Sequence, residues 1–164
     1  ILMFKDFANS PGPTMRDLWE RLSPLPGGKT LFSRAIGFMA PYSGTVGATV
    51  VELRPGFSRV QMRDRKKVRN HLNSIHAVAL VNLAELATGT AMLSALPSGA
   101  RGILAGLSID YLKKARGTLT AECSIEVDDS NERREIPVEG VILNADGEAV
   151  ARATARWLVG PSSS

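Results

Sequence analysis

The chain has 164 residues, a length that suits one domain. Its hydrophobic share of 44% and charged share of 22% exclude a disordered tail and a bundle of membrane helices. The net charge of +4 favours anionic partners (nucleic acid, acidic lipid or a phosphate-bearing substrate), and the single Cys123 excludes a disulfide framework and a cysteine metal cluster.

Met15 reads as a natural start, which makes residues 1–14 a tail derived from cloned or upstream sequence. Asn9-Ser10-Pro11-Gly12-Pro13 is expected to hold no regular structure. No charged start precedes a sustained apolar run with a small-residue cleavage site, so a secretory leader is not expected. Met15, Leu18, Trp19 and Leu22 fall at helical spacing. Pro24, Pro26, Gly27 and Gly28 then break the chain. A second helix is predicted from Lys29 to Met39, with Leu31, Phe32, Ile36 and Phe38 apolar, and Pro41 ends it. One domain over 15–160 follows, with N-terminal helices in 15–40 and a core in 44–159.

From Gly44 the pattern turns to β. Val46, Ala48, Val50 and Leu53 run to Pro55-Gly56, and then Ser58, Val60, Met62 and Asp64 alternate with Phe57, Arg59, Gln61 and Arg63. A period of two on either side of a Pro-Gly turn predicts a hairpin. Ala77 to Leu96 is apolar on nearly every side, so it is predicted to be a helix buried on every side. Its length would also suit a membrane span. Asn82, Glu85, Thr88 and Thr90 along it, and amphipathic strands on both sides, argue for a soluble core helix instead. Four further strands are predicted: Gly102–Tyr111, Thr118–Val127, Glu135–Leu143 and Glu148–Val159. Asn144-Ala145-Asp146-Gly147 marks the turn between the last two. The order is two strands, a helix and four strands, which is α+β. An antiparallel sheet curled around the helix buries it, and alanines on the last strand permit close approach.

Glu85 is the only ionisable side chain between His76 and Arg101. Burying a carboxylate is costly, and desolvation moves its pKa toward the range of a general base. A buried structural carboxylate, or one facing a subunit interface, is the alternative. His76 stands where the helix begins, after Asn73 and Ser74, either of which suits an N-cap. The N–H groups of Ala77 and Val78 in the first turn suit an oxyanion or a polarised carbonyl. Asn70 fits a turn, or a water-orienting amide. The run Arg63-Asp64-Arg65-Lys66-Lys67-Val68-Arg69 and the cluster Lys113-Lys114-Ala115-Arg116 suit the charged end of coenzyme A. A plain solvated loop is an equal reading of the first run, and nucleic acid is a weaker one, because no aromatic residue is interleaved. With His71, His76 and Cys123 as the only histidines and cysteine, no zinc site is expected.

Residues Asn70 to Glu85 resemble the active-site stretch of hotdog thioesterases of the phenylacetate-pathway type. Those proteins carry an Asn, then His-Gly-Gly, then an acidic residue nine positions after the His. Asn70, His76 and Glu85 match that spacing, and Ile109 to Leu119 resembles the family's long bent strand. The span from Gly44 to Val159 is covered, nearest to an uncharacterised thioesterase subgroup with extra N-terminal helices. The resemblance implies a hotdog fold, with the sheet wrapped around one long central helix. It implies an acyl-CoA thioesterase that needs no metal or cofactor and works as a homodimer or dimer of dimers; the lone Cys123 makes a reducing cytosol the default setting. Glu85 would be general base or nucleophile, and Asn70 would position water or the carboxylate. His76 would shape the helix start, and the Ala77 N–H would polarise the thioester carbonyl. Val78, Arg63, Arg65, Lys66, Lys113, Lys114 and Arg116 would bind substrate. The family's Gly-Gly is Ala77-Val78 here, which narrows the approach to the Ala77 N–H. That change supports an alternative, a non-catalytic acyl- or acyl-CoA-binding protein. Thr88 and Thr90 are candidates for the hydroxyl that some relatives place at the site.

Overall fold

The computed structural model describes residues 7–130 and 132–162. Residues 7–9 are helical, helices α1 (Pro11–Leu22) and α2 (Gly28–Met39) follow, and a 3-10 turn over Ser43–Val46 comes next. The hairpin strands β1 (Thr49–Arg54) and β2 (Phe57–Met62) lead to the long helix α3 (Ala77–Ala95). Strands β3 (Ala100–Tyr111), β4 (Leu119–Ser124), β5 (Arg134–Leu143) and β6 (Ala149–Pro161) complete the domain. The two-strand, helix, four-strand order read from the sequence holds.

The six strands form one antiparallel sheet in the order β1-β2-β4-β5-β6-β3. Alternation decides which side chains face the helix. On β2, Ser58, Val60 and Met62 are fully buried, whereas Arg59 and Gln61 point outward. On β6, Ala151, Ala153, Ala155 and Trp157 line the inner face. The helix lies in the curl of the sheet, with Leu83, Ala87, Ala91 and Met92 at most 1% exposed. Two close approaches fix its depth. A Cβ on Gly140 would stand 3.0 Å from the Thr88 methyl, and one on Gly89 would stand 3.2 Å from the Trp157 ring. By length and composition α3 qualifies as a membrane span, yet 72% of its apolar window is packed inside the protein.

Residues Asn9 to Pro13 depart from expectation, because regular structure reaches back through them. Pro11 opens α1, where a proline costs nothing since its missing N–H would have no helical acceptor. The tail proposed for residues 1–14 is therefore folded over its described part. Gly12 and Met15 are buried against the C-terminal end of α3, and Arg16 donates to the Ser94 and Leu96 carbonyls at 2.6 and 3.1 Å. Trp19 of α1 meets Phe32 of α2 edge to face, with centroids 5.0 Å apart. Of the apolar residues expected on α2, Phe32 and Ile36 are buried, whereas Leu31 and Phe38 are exposed.

Candidate active site

Glu85 sits midway along α3, half-buried beneath the 3-10 turn that follows α2. The Ser43 hydroxyl donates to its Oε2 at 3.4 Å. Burial raises the carboxyl pKa above the ordinary carboxylate value, and the Ser43 hydrogen bond opposes part of that rise. Asn82 lies one turn earlier on the same face, because positions three apart are neighbours on a helix. It is 6% exposed, and its Nδ2 donates to the Tyr42 carbonyl at 3.1 Å and to Thr45 Oγ1 at 3.4 Å. The short Tyr42–Thr45 segment thus covers a helix stripe that holds both polar residues.

The helix start is capped by His76 itself, which corrects the expectation of Asn73 or Ser74. His76 Nδ1 accepts from the Val78 N–H at 3.1 Å, so the imidazole caps only while Nδ1 carries no proton. Val78 N–H is thereby occupied. Asn73 instead takes a left-handed backbone at φ 53°, and the Ser74 hydroxyl is buried without a hydrogen bond. Ala77 is the first helical residue, so its N–H has no intrahelical acceptor.

Asn70 does turn work. Its Oδ1 accepts from the Leu72 and Ser74 N–H groups at 2.9 and 3.2 Å, and none of its recorded hydrogen bonds goes to Glu85. The basic runs come together around Asp64. Its carboxylate takes Arg69 Nε at 2.6 Å and the Gly117 N–H at 2.9 Å, and those contacts hold its pKa below the ordinary value. Main-chain bonds from Ile75 to Ala115 and from His76 to Val68 seat both runs at the N-terminal end of α3. Within them, Arg65 is tied to the Val46 carbonyl and Lys113 to Glu148. Arg63, Lys66, Lys114 and Arg116 project into solvent.

Thr88 and Thr90 are both engaged within the chain. Thr88 Oγ1 donates to the Glu85 carbonyl, and Thr90 Oγ1 bonds Ser58 and the Leu86 carbonyl. The hydroxyl at Glu85 is Ser43, from the same chain. Neither Ser43 nor Asn82 was read from the sequence as a site residue. Ser43 lies in a proline-broken linker with no periodic signal. Asn82 had one signal, a polar residue three positions before Glu85 on an apolar helix. Among the described residues no group of three or more His, Cys, Asp or Glu side chains is placed to hold a metal.

A curled antiparallel sheet holding one long helix defines a hotdog-fold protein. Residues 28–159 match a family model described as Domain of unknown function (DUF4442), and the chain belongs to that family. The solved structure of a structural-genomics protein, APC5556, is 33% identical, with a TM-score of 0.78 over 91% of this chain and 99% of that one. A Pseudomonas aeruginosa protein described as a probable thioesterase is 23% identical, with a TM-score of 0.70 over 84% of this chain and 97% of that one. A hypothetical thioesterase from Streptococcus pneumoniae, solved with coenzyme A, is 24% identical, with a TM-score of 0.60 over 71% and 88% of the two chains. No curated protein matches the sequence.

Proposed function

We propose that this protein hydrolyses acyl-CoA-type thioesters, with Glu85 as general base or nucleophile. The observation that carries the reading is the Glu85 carboxylate itself, alone on an apolar helix and raised in pKa by burial. A carboxyl tuned upward toward neutral pH accepts a proton from water, or attacks the thioester carbonyl directly, better than an acid of ordinary pKa. Water adds to the carbonyl, the tetrahedral intermediate collapses, and the thiol leaves with a proton. The spacing of Asn70, His76 and Glu85 supports reading the chain with the phenylacetate-pathway type among hotdog thioesterases. The basic residues around Asp64 would receive the phosphates of coenzyme A, and the lone buried Cys123 suits a reducing cytoplasm.

The Ala77 N–H would polarise the thioester carbonyl. Ala77 and Glu85 are eight residues apart on one helix, about 12 Å of rise. One carbonyl cannot touch both, so the reading calls for a second copy to supply one of them. The free edge strand β3, twelve residues long with Ile103 66% exposed, suits pairing with its own copy in a homodimer or dimer of dimers. Asn70, with its Oδ1 engaged in the turn, would act by holding the helix start.

The second reading, a non-catalytic acyl-CoA binder, rests on Val78, 50% exposed beside the Ala77 N–H where the phenylacetate-pathway type of hotdog thioesterase has glycine. Thiol release from short, medium, long and aromatic acyl-CoAs separates the two. We expect turnover on one class, and none on any class would favour the binder. Ser43→Ala tests the tuning of Glu85. Losing the hydroxyl removes the one interaction that lowers the Glu85 pKa, so the acidic limb of the kcat/KM profile is expected to move to higher pH. An unmoved limb would detach Ser43 from the chemistry.

A further inference from the structure

The Asn82 carboxamide is oriented by its neighbours. Its Nδ2 faces the Tyr42 carbonyl, and a reversed amide would set oxygen against oxygen there. The atom left over is Oδ1, which is buried and has no hydrogen-bond donor. An unpaired buried acceptor is costly unless something fills it. Asn82 lines an open cleft of about 210 Å³ that runs along α3 toward its N-terminus. Tyr42, Thr45, His76 and Val78 form its walls, and Lys67 and Arg69 stand at its rim. Arg69 is paired with Asp64, whereas Lys67 has no partner among the described residues.

We infer that Asn82 determines specificity by accepting a hydrogen bond from a secondary amide N–H on the thiol arm of the substrate, whose anionic end meets Lys67. The inference rests on the thioester reading of Glu85. Its geometry follows from the helix. In a cysteamine-type arm the amide nitrogen is three bonds from the sulfur, and Asn82 is the neighbour of Glu85 on one helix face. A thioester at Glu85 therefore brings that N–H to Asn82. The rest of the arm continues along the cleft to the basic rim at the helix start. The substrate class is a thioester of a pantetheine-type thiol, and an alkyl thioester lacks the group that Oδ1 needs. A site built to bond a donor discriminates strongly against the analogue without it.

Two measurements test this. In the wild type, acyl thioesters of N-acetylcysteamine and of propanethiol with the same acyl group are compared by kcat/KM. We expect the amide-bearing thioester to be preferred about tenfold or more, and equal values would overturn the inference. Calorimetry then compares coenzyme A with adenosine 3′,5′-bisphosphate, which lacks the arm. Asn82→Ala is expected to weaken coenzyme A about five- to tenfold and to leave the bisphosphate unchanged. Unchanged coenzyme A affinity in the folded variant would overturn the inference. If no thioester is cleaved while coenzyme A binding still depends on Asn82, the hydrolase reading falls and the Asn82 contact to the arm stands as a binding contact.

Discussion

Replacing Glu85 with glutamine is expected to lower thiol release by about 10²- to 10⁴-fold, the usual contribution of a positioned general base. The glutamine keeps the shape of the side chain and its place under Ser43, but it cannot take a proton or attack. The same substitution is expected to leave the melting temperature unchanged or to raise it. Glu85 has its pKa raised in the folded state, so folding binds its proton more tightly than the unfolded chain does. Stability from this group is full at low pH and is lost as pH rises from the ordinary carboxylate value through the folded one. At neutral pH the charged form is a cost, and glutamine removes it. A variant with full turnover would take Glu85 out of the mechanism. A variant that unfolds would make Glu85 a structural carboxylate.

Gly12→Ala is expected to destabilise the fold by about 2–3 kcal/mol, the scale of overpacking in a close-packed interior. A Cβ on Gly12 would stand 2.1 Å from the Leu96 carbonyl oxygen, and a backbone oxygen cannot swing aside as a flexible side chain can. Helix α1 must lift away from the end of α3. That movement exposes Met15, now 1% exposed, and breaks the Arg16 bonds to the Ser94 and Leu96 carbonyls. Thermal unfolding monitored by circular dichroism checks the value. A melting temperature within a degree of the wild type would show that α1 docks too loosely to matter.

Fold and site were legible to different depths. The alternation through Ser58, Val60 and Met62 declared the inner face of β2, because side chains in a strand point to opposite faces in turn. The apolar circumference of Ala77 to Leu96 declared a helix that had to be enclosed, and the strand order around it left a curled sheet as the solution. Glu85 stood out because a charge on such a helix is costly. The N-terminal boundary was not legible. Pro11-Gly12-Pro13 has the local chemistry of a loop, and only a docking partner, the end of α3, makes it a helix start.

The sequence by itself determined the core of the sheet and of α3, though not that of α2, where Leu31 and Phe38 stay exposed. Periodicity is a local property, and it fixes which face of each element must leave water. It also determined the carboxylate, because one charge among apolar neighbours is visible without coordinates. The tertiary structure decided what surrounds that carboxylate. Ser43 reaches Glu85 across 42 positions of sequence, and Tyr42 orients Asn82 across 40. It also decided that two distant basic runs gather around Asp64. Such contacts join residues far apart in the chain, so no local pattern records them, and they exist only once the sheet has closed around the helix.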